Sequence, residues 1–356
     1  MTKMKHRQLL LLLLAMCLLL SGCRANEQGD SNPSAAAAIL PTASAAELPD
    51  PTKKTTGVGF YFDTVVSLTL YGAPEGIIDE VWAACARYEN LLSKTVAGSD
   101  VSRINAANGE TVTVDPETWQ ILRRAKEISA ITDGAFSITI APLTALWTFT
   151  DTVSNLVPTD EARTRLLPLV DDQKIVLGEN NTVTLPAGME IDLGGVAKGY
   201  IADKVAELLR DRTTAAIISL GGNVYTTGQK PDGSRFGVGI KDPHNPAASK
   251  AAIYTGDGTV VTSGTYERGF SFGGVRFHHI LDPQTGWPSQ SDLVSATFVM
   301  DSSMTADALA TACIVIGSEK SLALARELGL DAMFIKDDGT AVFTQGFEEK
   351  YNYKAY

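Results

Sequence analysis

The sequence predicts an α+β fold of mixed α/β order, and three observations predict it. Residues 61–71 (YFDTVVSLTLY) are β-branched and aromatic with partial alternation, as in a strand, and residues 79–92 repeat like an amphipathic helix. Further strands are expected near 217–220, 260–263, 294–300 and 332–344, separated by helical patterns in no regular order, so a doubly wound sheet is not implied. From residue 58 to 356 there is no second low-complexity break and no fixed repeat, which favours a single unit although 356 residues would allow two domains.

At the N-terminus, Lys3, Lys5, His6 and Arg7 precede an apolar run over 9–20 that is too short to span a membrane comfortably. This is the pattern of an export signal, expected over residues 1–22. Leu20-Ser21-Gly22-Cys23 resembles the lipobox of bacterial lipoproteins, which would make Cys23 the lipidated first mature residue; ordinary secretion with a chance cysteine is the alternative. A cell-membrane location, lipid-anchored and facing the extracytoplasmic side, is therefore expected. Residues 24–57 are rich in Ala, Ser, Pro and Thr, so 23–57 reads as a lipidated flexible spacer and 58–356 as the folded body.

Within that body, Asp115-Pro116 has the form of an N-cap followed by proline at the first helical position, and Gly134 is the expected stop. Hydrophobic residues make up 44% of the chain and charged ones 20%, which excludes a largely disordered or collagen-like protein. The net charge of −11 excludes a broad basic surface for nucleic acid. Four cysteines are too few for a disulfide scaffold; Cys85 and Cys313 sit on apolar helical stripes and are expected to pack.

Three segments carry chemistry. Ile191-Asp192-Leu193-Gly194-Gly195-Val196-Ala197-Lys198 runs into a helix whose N-terminal glycines would let backbone N–H groups approach phosphate oxygens, with Lys198 adding charge; a plain helix-start turn is the alternative. Asp307 and Thr311 are four residues apart on one expected helix face. A carboxylate and a hydroxyl, completed by carbonyl, water and phosphate oxygens, suit Mg²⁺; equally, the aspartate could favour a first helical turn and the threonine bond back to a helix carbonyl. His278 and His279 precede Asp282-Pro283, where one could transfer a proton or simply bond the turn.

Taken together, FDTVVSL (62–68), LLSKTVAGSDVSRIN (91–105), GAFSITIAPLTALW (134–147), IDLGGVAKGYIADKV (191–205), ISLGGNVYTTG (218–228), TSGTYERGF (262–270), HHILDPQTG (278–286) and ADALATACIVIG (306–317) resemble the FAD:protein FMN transferase family, ApbE, in order and spacing. The resemblance implies a single ApbE-like catalytic unit, which could have two lobes with FAD and metal between them. It implies a Mg²⁺-dependent enzyme that cleaves FAD, attaches FMN through a phosphoester to a Ser or Thr hydroxyl of an acceptor flavoprotein, and releases AMP. A FAD pyrophosphatase or a non-catalytic flavin-binding lipoprotein are the alternatives.

By position, the resemblance assigns Phe62, Ala135, Phe136, Ser137, Asp192, Lys198 and Leu281 to the flavin nucleotide, and Asp307, Thr311 and the Gly195 carbonyl to the metal. His279 is the candidate for proton transfer. Two departures stand out: Thr95 replaces a common aromatic residue, and Ser137 replaces a common aspartate, so a charged contact there becomes a shorter neutral one.

Overall fold

The computed structural model describes residues 49–149 and 157–356. The expected signal peptide, Cys23 and most of the spacer lie outside the described residues. Eight strands form one sheet whose spatial order is also the chain order, every neighbouring pair antiparallel. They are β1 Lys54–Tyr61, β2 Thr64–Tyr71, β3 Ala215–Leu220, β4 Asn223–Gly228, β5 Gly258–Gly264, β6 Leu293–Met300, β7 Asp331–Lys336 and β8 Ala341–Phe343. The principal helices are α1 Ile77–Leu92, α2 Asp100–Ala106, α3 Pro116–Ile131, α4 Ala197–Leu209, α5 Ser303–Ile316 and α6 Ser318–Glu327. This is the expected α+β class.

One face of the sheet carries the helices: α1 lies on β1, α4 on β3 and β4, α5 on β5 and β6, and α6 on β7. Successive side chains alternate between faces, so Val261, Phe298 and Phe334 enter the helical core while Val260, Val299, Met333 and Ile335 enter a second core. A small sheet of Phe236–Asp242, Asn245–Thr255 and Lys354–Ala355 covers that second side. Strands β5 to β7 are thus buried on both faces; β6 and the middle of β7 read as nearly continuous apolar runs, while β5 has only Val260 and Val261 between threonines. Cys85 and Cys313 are free and buried in the helical core, as expected.

Two boundaries differ from expectation. The sheet begins at Lys54 rather than 58, because residues 54–57 pair with Tyr71 to Leu68 of β2. Lys54 and Thr56 face solvent, while the other face carries only the half-buried Thr55 and Gly57, which backs onto Trp82, so they carry no apolar alternation to read. The single strand expected over 61–71 is a hairpin that turns at Phe62 and Asp63, both left-handed with φ of 54° and 55°. Such a turn usually announces itself with Asn-Gly or Asp-Gly. Here the Phe62 N–H is instead held by Glu89 Oε1 at 2.7 Å.

Helix starts were more legible. Asp115 accepts a hydrogen bond from the Glu117 N–H at 2.8 Å, and Pro116 opens α3. Ser302 caps α5 through the Thr305 N–H at 3.2 Å, which moves the helix start back to Ser303 and leaves Asp307 in the second turn. A first-turn dipole role for Asp307 therefore loses its basis, since that effect fades beyond the first turn.

The contact that positions the site is the crossing of α4 over the start of α5. A Cβ at Gly199 would overlap the Ser303 carbonyl and the Met304 Cα, backbone atoms that cannot swing away. Gly199→Ala should therefore force the helices apart and lower stability by about 1–3 kcal/mol, measured by chemical denaturation. A variant with unchanged stability would show that the crossing yields freely.

Candidate active site

The site is assembled around the start of α4. Asn105 of α2 holds Ile191 by two bonds, donating from Nδ2 to its carbonyl at 3.0 Å and accepting its N–H at 2.8 Å. The Asp192 N–H then donates to the Ile138 carbonyl at 2.7 Å. With its backbone fixed, Asp192 turns its carboxylate inward along the loop, where Oδ1 accepts the Gly194 N–H at 2.8 Å and Oδ2 pairs with Lys94 at 2.7 Å. Gly195 lies against Phe136, whose Cε2 would be 3.1 Å from an added Cβ. The aromatic wall of the 134–147 segment and the glycine helix start are thereby in contact.

Lys198 connects this loop to α5. Its Nζ donates to the Gly194 carbonyl at 2.9 Å and stands 3.4 Å from Asp307 Oδ2, which also accepts the Gly199 N–H at 3.2 Å. The Asp307 side chain is only 4% exposed. Burial pushes its pKa up, and Lys198, Asn223 and the Gly199 N–H oppose that shift. Thr311 Oγ1 donates to the Asp307 carbonyl at 3.0 Å and lies 3.4 Å from Ser263 Oγ on β5. The back-bonding weighed for Thr311 is thus present, and its oxygen still has lone pairs for a cation.

The donor set suits a hard, sparsely ligated cation. Among the described residues no group of three His, Cys, Asp or Glu side chains could hold a metal. A single carboxylate beside a hydroxyl leaves the remaining positions to carbonyl, water and phosphate oxygens, the arrangement Mg²⁺ accepts. The residues fit.

The two histidines part company. His278 is buried, and its Nε2 donates to the Ser289 carbonyl at 3.0 Å, so it serves the turn. His279 has both its N–H and its Nδ1 directed at the Arg268 carbonyl, at 3.2 and 3.3 Å. Burial, helped by the charges of Arg268 and Lys198, pushes the His279 pKa down to about 3. The ring is neutral at physiological pH. With the proton on Nδ1, its Nε2 is a free proton acceptor.

Other expected residues are held differently. Ala135 is buried in the helical core. Leu281 is buried in an aromatic cluster with Trp147 and Phe270, and Phe62 is tied by its backbone to the end of α1. Ser137 donates to Asp172 Oδ1 at 2.7 Å, and the same buried carboxylate accepts the N–H groups of Ile138 and Thr139 and the Thr139 hydroxyl. Lys94, Asp172, Asp203 and Asn223 were not singled out from sequence. Lys94, Asp203 and Asn223 do stand inside the 91–105, 191–205 and 218–228 segments, but nothing local marks them.

Chemically, a helix start with a lysine ammonium beside a buried carboxylate suits a phosphate-bearing ligand and a hard cation. Residues 62–334 match the model of the ApbE family. The chain is 38% identical over 276 residues to a FAD:protein FMN transferase of Klebsiella pneumoniae, covering 76% of this chain and 85% of that protein. It is 38% identical over 281 residues to one of Treponema pallidum, covering 73% and 77%. The crystal structure of the ApbE protein from Thermotoga maritima superposes with a TM-score of 0.78 at 30% identity, over 83% of this chain and 99% of that one. The apo flavinyl transferase ApbE of Pseudomonas stutzeri gives 0.75 at 29% identity, over 84% and 97%. This chain belongs to the ApbE family.

The environment of Ser137 yields a test. Ser137→Asp would set two carboxylates side by side and should cost about 1–3 kcal/mol in thermal or chemical denaturation. Adding Asp172→Ser should recover most of that loss by leaving one carboxylate at the start of the Ile138–Ile140 turn. Failure of the double variant to recover would show that Asp172 is needed where it stands.

Proposed function

We propose that this chain is a Mg²⁺-dependent FAD:protein FMN transferase, lipid-anchored through Cys23 on the extracytoplasmic side of a cell membrane. The observation that carries the catalytic reading is Lys198, whose ammonium lies between the Gly194 carbonyl at the glycine helix start and the buried Asp307 carboxylate. A diphosphate laid along this helix start would meet Lys198 and, on its outer side, Lys94, since the Gly194 and Gly199 N–H groups are already given to Asp192 and Asp307. Phe136 closes the site from behind Gly195, and Asp192 fixes the loop.

Asp307, Thr311 and the Gly195 carbonyl would hold Mg²⁺, which when bound neutralises charge on the FAD diphosphate as it is cleaved. His279 takes the proton of the acceptor hydroxyl on Nε2, because its Nδ1–H is committed to the Arg268 carbonyl. The acceptor oxygen forms the new bond to the FMN phosphorus as the diphosphate oxygen leaves with AMP. Water in place of a Ser or Thr hydroxyl would give free FMN and AMP.

Incubation of the purified protein with FAD and Mg²⁺, with and without hydroxyl-bearing acceptor protein, separates covalent flavin from free FMN and from no reaction. Asp307→Asn retains size and one oxygen but removes the only formal charge among the proposed ligands. FAD cleavage should fall roughly 100-fold, about 2.7 kcal/mol, and be only partly recovered by excess Mg²⁺. Wild-type turnover with an unchanged Mg²⁺ titration would remove this aspartate from the metal site.

The anchor has its own test. Serine cannot form the thioether that a cysteine at the end of a lipobox provides, so Cys23→Ser should leave the protein without lipid by mass spectrometry and out of the membrane fraction. Lipid on that variant would refute the assignment.

A further inference from the structure

We infer that Asp203 is the positioning residue that seats the Asp307–Thr311 face of α5 against α4, and that it thereby sets the affinity of the site for its divalent cation. The inference rests on the metal reading above. Asp203 belongs to α4 but spends its carboxylate on α5: Oδ1 accepts the Ser303 N–H at 2.6 Å, while Oδ2 accepts the Met304 N–H at 3.0 Å and the Ser302 hydroxyl at 3.3 Å. These are the first N–H groups of the helix, which have no partner within it. They point at a negative charge supplied by the neighbouring helix.

The geometry makes this a splint rather than an ordinary cap. Gly199 and Asp203 are four residues apart and share one face of α4. Gly199 meets α5 at Ser303 and Met304 and donates its N–H to Asp307 in the next turn, while Asp203 grips the first turn. Two successive turns of α5 are therefore fixed to two successive turns of α4, and Lys198 stands beside the same seam. The helix has its own cap in Ser302, so the Asp203 bonds are not required to start it. What they fix is its seat, and the seat decides how far Asp307 and Thr311 lie from Gly195.

Holding the carboxylate there is costly. Burial raises the Asp203 pKa to about 6, the Asp307 charge pushes the same way, and the Met304 and Ser303 N–H groups and the Ser302 hydroxyl oppose them. A second acid so near the first is a poor choice for stability alone.

The test compares the wild-type protein with Asp203→Asn and Asp203→Ala by calorimetric Mg²⁺ titration, by amide exchange at residues 303 and 304, and by FAD cleavage as a function of Mg²⁺. Asp203→Asn keeps the volume and one acceptor, so it should fold. Exchange at the two amides should quicken, the Mg²⁺ dissociation constant should rise 10- to 100-fold, as for lost supporting groups at metal sites, and the rate at saturating Mg²⁺ should largely return. A lowered melting temperature with an unchanged isotherm in both variants would reduce Asp203 to a structural cap and overturn the inference. Wild-type protein that takes up no Mg²⁺ would overturn the metal reading itself, and this assignment with it.

Discussion

A carboxylate held at 4% exposure needs compensation, and the way Asp307 obtains it organises the rest of the molecule. Besides Asn223, its partners are the Lys198 ammonium and the Gly199 N–H, consecutive residues at the start of α4. Both can reach it only if α4 and α5 cross closely, and they cross closely only because residue 199 has no side chain. The sheet below must then hold both helices at fixed height. It does so with β3 and β4 under α4 and with β5 and β6, buried on both faces, under α5.

How legible this was depended on the range of the interaction. The Asp115-Pro116 helix start, the glycines before α4 and the strands around 260–263 and 294–300 each carry their signal within a few residues, and the structure has them where expected, while the stretch expected over 332–344 is the pair β7 and β8. The Phe62–Asp63 turn was hidden because its left-handed backbone is stabilised by Glu89, 27 residues away, and not by turn-forming residue types. Asp203 was hidden more deeply. On its own helix it looks like any solvated acid at a helical spacing, and its role appears only when residues about 100 positions later fold over it.

Ser137 shows the same limit from the other side. From the sequence, a neutral serine at a position often held by aspartate suggested a weakened nucleotide contact. The fold supplies a carboxylate to the same place from Asp172, 35 residues on, and directs it at the backbone of Ile138 and Thr139. The missing charge is thus recovered as a structural anion at the start of a short turn, and Ser137 is its hydrogen-bond donor.

The site also gathers positive charge on a chain whose net charge is −11. Lys94, Lys198 and Arg268 lie around the helix start and His279, while the acids closest to them, Asp192 and Asp307, are each already paired. That arrangement suits an anionic ligand beside a neutral imidazole. Cations beside His279 discourage its protonation and so weaken it as a base; an anion bound among them would offset their charge and raise its readiness to take a proton. His278, one residue away, has the same ring, and burial lowers its pKa too, but its Nε2 is spent on the Ser289 carbonyl. The two rings therefore differ in what they meet: His278 is bonded to the turn, and of the two only His279 feels the charge of Lys198.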